Sequence, residues 1–198
     1  MAGYIELSGK IASAGFASGD RFVIGCWRAS PLGRFADLMW ARPDGSRVLV
    51  ARDRRTARCI SGLYEFEAVE VAEVEVRLSR RGLVLESGPL HLELLAGPPR
   101  RIPFSRPAWF TRWVEGPVAR CTMGVRTYGV TEGGVRVWYR ADAWQWVAEG
   151  HARLGDLDLG PLAPLDPPVR FGFSEPPRRP SIVSVRPLVQ GALVPFVS

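Results

Sequence analysis

Between residues 65 and 78, Phe66, Val69, Val71, Val74, Val76 and Leu78 stand among Glu65, Glu67, Glu70, Glu73, Glu75 and Arg77, with one slip of phase near Ala68. Apolar and polar positions alternating with a period of two mark a half-buried strand. The segment therefore reads as one long strand with an apolar and an acidic face. Residues 79–82 form a turn, and 83–95 return as a second strand. Leu90, Leu92 and Leu94 lie on one of its faces, His91 and Glu93 on the other. Gly88-Pro89 in its middle suggests a bulge or an edge position, because proline cannot donate to a ladder. The two strands together predict an antiparallel hairpin.

The same period recurs along the chain. Residues 21–28 and 37–42 read as strands parted by the Ser30-Pro31-Leu32-Gly33 turn, and Pro43-Asp44-Gly45-Ser46 is a hairpin turn into a strand over 47–51. Further on, 125–130 and 135–148 flank Thr131-Glu132-Gly133-Gly134, and 169–173 and 182–186 complete the set. Two segments depart from it. Residues 53–61, closed by Gly62, read as a short helix. A second helix is predicted from Ser105 as N-cap, with Pro107 in the first turn, Trp109, Phe110, Trp113 and Val114 along one face, and Gly116-Pro117 at its end. Long hairpins with two helical insertions predict a mainly β fold, a single antiparallel barrel or cone-like domain over residues 1–198.

Composition narrows the function. The chain has 198 residues, 46% hydrophobic and 23% charged, so a packed domain is expected and disorder is excluded. No apolar run reaches the length of a membrane span, and the first residues lack the charged start and apolar stretch of a secretory signal. A cytoplasmic protein with no membrane partner is the expectation. The net charge of +6 comes from 26 basic residues, of which only Lys10 is lysine. These arginines are scattered, as a GC-rich genome produces, and form no basic stripe with stacking aromatics, so no nucleic-acid partner is expected. Cys26, Cys59 and Cys121 lie far apart, and neither His91 nor His151 has a partner at ligand spacing. They read as free buried thiols, with no metal site. Phosphate-binding, dinucleotide and hydrolase motifs are absent, and no cofactor is expected.

What remains is a handful of polar residues in apolar strands. Phe35, Asp37 and Met39 share one strand face; if it points into a barrel, Asp37 is an inward carboxylate with a raised pKa, a candidate general acid or base. The other reading is a solvated or structurally paired acid. His91 is a second candidate for proton transfer, against the reading of a surface histidine. Arg28, before the Ser30-Pro31 turn, could clamp a ligand carboxylate from a barrel mouth. Trp138, Arg140, Asp142, Trp144 and Trp146 share one face of a strand, which suits either a flat or acidic ligand or a core or subunit interface.

The run Ser30-Pro31-Leu32-Gly33-Arg34-Phe35-Ala36-Asp37, with the order of the strand over 47–51, the short helix through Cys59, the long hairpin and the helix near Trp109, resembles the acetoacetate decarboxylase-like superfamily. The likeness runs from about Arg21 onward, through the stretch from Leu154 to Val169. It implies a cone-shaped barrel around a small apolar pocket, in which a lysine forms a Schiff base with a keto acid and a glutamate assists. Asp37 stands where the resemblance places that acid, one carbon shorter. The helix expected to carry the lysine reads Arg52-Asp53-Arg54-Arg55-Thr56-Ala57-Arg58-Cys59, and Lys10 lies far from it. Arginine stays protonated and forms no imine, so Schiff-base decarboxylation is not expected.

Three functions are therefore open. One is a small-molecule-binding barrel whose ligand is an apolar carbonyl or carboxylate compound. Another is a non-covalent lyase, hydratase or isomerase using Asp37 with Arg28 or His91. The last is a structural protein that forms a homo-oligomer through its tryptophan-rich strand.

Overall fold

The computed structural model describes residues 4–101, 128–130, 136–138, 140–172 and 176–190. Its first half holds β1 (Tyr4–Glu6), β2 (Ser8–Phe16), β3 (Arg21–Ala29), β4 (Phe35–Ala41), β5 (Arg47–Ala51), helix α1 (Arg54–Ser61), β6 (Ala68–Val71), β7 (Glu75–Leu78), β8 (Gly82–Ser87), β9 (Leu90–Ala96) and β10 (Arg100–Arg101). After these come β11 (Tyr128–Val130), β12 (Arg136–Trp138), β13 (Ala141–Leu154), β14 (Leu157–Asp158), β15 (Leu162–Ala163), β16 (Ser181–Val185) and β17 (Leu188–Gln190). The fold is mostly β. The second predicted helix and the 131–134 turn lie outside the described residues.

One large sheet carries the order β6-β5-β4-β3-β2-β16-β13-β9-β8-β7, with β10 and β14 added to β13 and β15 to β2. Its pairs are antiparallel except β5 with β6. The two ends of that order, β6 and β7, are separated in the chain only by Ala72, Glu73 and Val74. So short a link forces the sheet to curl until its ends approach. Ala72 N donates to Ala51 O at the end of β5, and Ser87 Oγ donates to Glu73 O from the end of β8. The expected single strand over 65–78 is thus two strands at opposite ends of a curled sheet. Alternation survives in both halves, which is why the break is invisible to a period-two reading.

Other departures have equally local causes. Gly88-Pro89 is the two-residue turn of the β8–β9 hairpin, with Ser87 paired to Leu90 and Gly88 at φ +54°; it is neither bulge nor edge. The strand read over 135–148 is divided. β12 joins β1, β17 and β11 in a separate sheet of order β1-β17-β12-β11, while β13 crosses the large one with a register shift between Ala141 and Ala143. Residues 169–172 form no strand; Val169 and Phe171 are buried as a covering loop. β2, rich in Gly, Ala and Ser, carries too little hydrophobic contrast for its pattern to show.

Over β3, β4 and β5 the large sheet is buried on both faces, whereas β6 and β7 at its ends are largely exposed. Phe22, Ile24, Leu38, Val48 and Val50 pack with Leu83, Leu85, Leu92 and Leu94 from the far end of the strand order, so this face is the inside of the curl. The alternate residues Val23, Trp27, Phe35, Met39 and Leu49 pack outside it, against Ala57 and Ile60 of α1, Leu165, Val169 and Phe171. Helix α1 starts where the Asp53 carboxylate accepts the Thr56 N–H at 2.7 Å, and Gly62 N closes it on Arg58 O. The covering loop is tied down by Arg21, whose buried guanidinium donates to the Gly19, Pro167 and Arg42 carbonyls.

Leu92 is fully buried inside the curl, whereas Leu157 is 62% exposed. Chemical denaturation should therefore show Leu92→Ala losing about 2–5 kcal/mol and Leu157→Ala less than about 0.5 kcal/mol.

Candidate functional site

On the outer face of the curl, β2, β3 and β4 form the floor of a cavity of about 140 Å³. Cys59 and Ile60 of α1 wall one side, Ile5, Val137 and Val189 of the small sheet another, and Pro31, Leu32 and Phe171 lie around it. From the sequence, Asp37 is an inward carboxylate only if the Phe35 face points into a barrel. That face does look into enclosed apolar space, but the barrel interior is filled and the space lies outside it.

Among the described residues Asp37 is the one carboxylate on these walls, and it is fully buried. Its cross-strand neighbour is Gly25, and the carboxyl occupies the volume that a side chain there would need. Two residues along β3, Trp27 Nε1 donates to Asp37 Oδ1 at 2.8 Å. Asp37 Oδ2 has no hydrogen-bond partner among the described residues. Burial pushes the carboxyl up to about 6, opposed by the indole N–H, which favours the charged form. The carboxyl therefore exchanges its proton near neutral pH. It can donate a hydrogen bond when protonated, and accept one or take up a proton when ionised.

The same burial makes the neighbouring thiols inert. Cys26, on the inner face, is pushed up to about 12, and Cys59, on the cavity wall, to about 11, with the Asp37 charge adding to both. Both are free and buried, as expected; Cys121 lies outside the described residues. Lys10 belongs to the opposite face of β2 from Ile11 and Ser13, which line the cavity. No amine reaches the cavity from the described residues, so no imine can form there with them.

The other candidates are not gathered with Asp37. His91 is half-exposed on the outer face of β9, 3.8 Å from Glu86, and Arg28 is exposed near the end of β3. The predicted face Trp138, Arg140, Asp142, Trp144, Trp146 is broken by the gap between β12 and β13 and the shift after Ala141. Val137, not Trp138, lines the cavity. Asp142 is held by Arg186 through two hydrogen bonds of 2.7 and 2.8 Å, and Arg140 is half-buried. Trp144 is half-buried beside the strand crossing, and the Arg179 guanidinium lies over the Trp146 ring at 4.8 Å. Four residues escaped sequence reasoning: Gly25, Trp27, Ser13 and Ser181, all on the cavity wall. Gly25 and Trp27 share a period-two face that pairs with Phe35 and Asp37. Once strands over 21–28 and 37–42 are antiparallel, a glycine opposite a buried acid is the readable signal.

No family model matches the chain, and no curated protein does. Two solved structures are similar to it. An acetoacetate decarboxylase from Legionella pneumophila shows 8% identity and a TM-score of 0.44, over 96% of this chain and 85% of that one. A second acetoacetate decarboxylase structure shows 12% identity and a TM-score of 0.44, over 94% and 86%. Both neighbours are acetoacetate decarboxylase structures, the family that the sequence resembles. At this TM-score the likeness carries no argument about chemistry, and the site stands on its own geometry. Among the described residues no helix is long and apolar enough to cross a membrane, and no cluster of metal-ligating side chains occurs.

A carboxyl whose folded pKa lies above its unfolded value makes the folded chain bind the extra proton between the two. Stability then falls as pH rises through that window, from about 4 to about 6, and is level above it. Denaturation at several pH values should show the wild type losing about 3 kcal/mol relative to Asp37→Asn across the window. In Gly25→Ala the added methyl meets Asp37 Oδ1 and the indole nitrogen of Trp27. That variant should lose about 1–3 kcal/mol at neutral pH, read by the same unfolding curves.

Proposed function

We propose that the protein binds a small, largely apolar carbonyl or carboxylate compound in the cavity over β2, β3 and β4, with Asp37 as its polar anchor. The observation that carries this reading is the buried Asp37 Oδ2, without a partner among the described residues, on a residue of a wall that is otherwise almost wholly apolar. Such an atom costs about 1–3 kcal/mol if nothing bonds to it, and a native fold seldom retains the cost without a use. A ligand oxygen facing Asp37 removes that cost, and its hydrocarbon part displaces poorly bonded water from the apolar walls. The volume supports a small occupant: an apolar cavity of roughly 150 Å³ accommodates benzene.

Acid–base catalysis is the second reading, favoured by a carboxyl that titrates near neutrality inside a cavity. It would rest on Asp37 alone or on Asp37 with the ligand's own groups, since Arg28 and His91 stand outside the cavity walls. An oligomer built on Trp138, Trp144 and Trp146 has less support, because Trp138 is buried within the chain and Arg179 covers Trp146.

Thermal unfolding of the full chain in the presence of ketones, keto acids, hydroxy acids, fatty acids and flat aromatic acids tests the binding reading. A ligand at about a hundred times its Kd should raise the midpoint by about 5–10 °C. The rise should be confined to one chemical class and lost in Asp37→Leu, which keeps the size of the side chain but not its oxygens. If no class moves the wild-type midpoint, or the same class moves both proteins equally, Asp37 anchors nothing.

A further inference from the structure

Resting on that reading, we infer that the ligand binds uncharged and carries a second polar atom, held by the hydroxyls of Ser13 and Ser181. Among the described residues no arginine, lysine or histidine lines the cavity. An ionised ligand carboxylate would lie beside Asp37 and apolar side chains with no counter-charge, a placement that costs far more than a neutral carbonyl there. Trp27 cannot supply the compensation, because its one N–H is already bonded to Asp37. A ketone or aldehyde oxygen is the group that the protonated Asp37 carboxyl suits: the O–H donates and the carbonyl accepts.

The second pole lies elsewhere on the same sheet face. Ser13 on β2 and Ser181 on β16 are directly paired, each about 1% exposed, and both line the cavity. Their hydroxyl oxygens are 3.4 Å apart, longer than a good O–H···O bond, and neither hydroxyl makes another hydrogen bond among the described residues. Two hydroxyls offer two donors and four lone pairs, and this single long contact uses one of each. The other serine of the lining, Ser30, is engaged in its own turn, donating to Gly33 O and accepting from Leu32 N. Asp37 and the serine pair are therefore two separate polar points on the wall of one largely apolar space.

The sheet sets their spacing. Asp37 on β4 is registered with Gly25 on β3, which is registered with Ile11 on β2, two residues from Ser13. Two strand spacings across and two residues along place the Cα atoms of Asp37 and Ser13 roughly 12 Å apart. Gly25 leaves the floor between them bare next to the carboxyl. Subtracting a hydrogen bond at each end leaves about 6 Å between the ligand's two polar atoms, the span of a four- or five-carbon chain. The class so defined is a short hydroxyketone or a compound with a carbonyl at each end.

Isothermal titration of the purified chain with butyl methyl ketone, its ω-hydroxy derivative and hexanoate separates the parts of this inference. The hydroxyketone should bind about three- to tenfold more tightly than the ketone, as one further neutral hydrogen bond allows. Hexanoate should bind more weakly than either. In the double variant Ser13→Ala, Ser181→Ala the ketone should keep its affinity and the hydroxyketone should lose its advantage. Equal affinities for hydroxyketone and ketone in the wild type would overturn the second pole, whether or not the variant folds; so would an advantage that persists in the double variant. Hexanoate binding as tightly as the ketone would overturn the uncharged ligand while leaving the cavity reading intact. If all three bind the wild type no better than they bind Asp37→Leu, the anchor itself fails, and the inference fails with it.

Discussion

The hydrogen bond from the Trp27 indole to the Asp37 carboxyl is the contact around which this molecule's site is arranged. A carboxyl with no exposed surface needs a donor, a place to lie, and neighbours that do not charge it, and the β3–β4 hairpin supplies all three. Trp27 gives the donor, Gly25 gives the space, and the apolar ring of Val23, Phe35 and Met39 raises the pKa until the neutral acid is populated near neutral pH. One acceptor oxygen is satisfied and the other is buried without a partner among the described residues. The outcome is a polar handle among apolar side chains, held rigidly because it sits on strands rather than on a loop.

That hairpin could not keep its outer face dry by itself. The three-residue link between β6 and β7 curls the sheet and dedicates its inner face to a filled core of leucines and phenylalanines. With the inside occupied, the outer face becomes the free one, and α1, the loop through Phe171 and the small sheet cover it. The cover and the floor do not meet everywhere, and the cavity is the remainder. Arg21, bonded to three carbonyls, and Arg52, which donates to the carbonyls of Leu32 and Arg34, fasten the covering loops at its margins. Arginines that read as scattered surface charge in the sequence thus act as ties for loop backbones, which their forked donors suit.

The chemistry open to the site follows from what surrounds Asp37. With no base, cation or amine beside it on the walls among the described residues, the acid can exchange one proton and form one or two hydrogen bonds. It cannot form an imine with the ligand or neutralise a ligand anion. Binding of a neutral oxygen compound draws on these properties, and acid–base chemistry would have only Asp37 and the ligand's own groups to draw on among the described residues.

The sequence by itself determined the local elements wherever contrast between neighbouring residues was strong. The acidic–apolar alternation gave the strands on either side of Ala72 to Val74, Asp53 and Gly62 bounded α1, and Pro43 to Ser46 turned β4 into β5. It also placed Phe35, Asp37 and Met39 on one face, because strand periodicity is a covalent property of the extended backbone. Only the tertiary structure decided which face was inside and what Asp37 would meet. The break after Val71 does not disturb the alternation, β2 lacks the hydrophobic contrast to announce itself, and Ser13 and Ser181 are 168 residues apart in the chain. Trp27, Gly25 and the serine pair become a site through strand pairing, and pairing is settled by the closure of the whole sheet, which no short stretch of sequence contains.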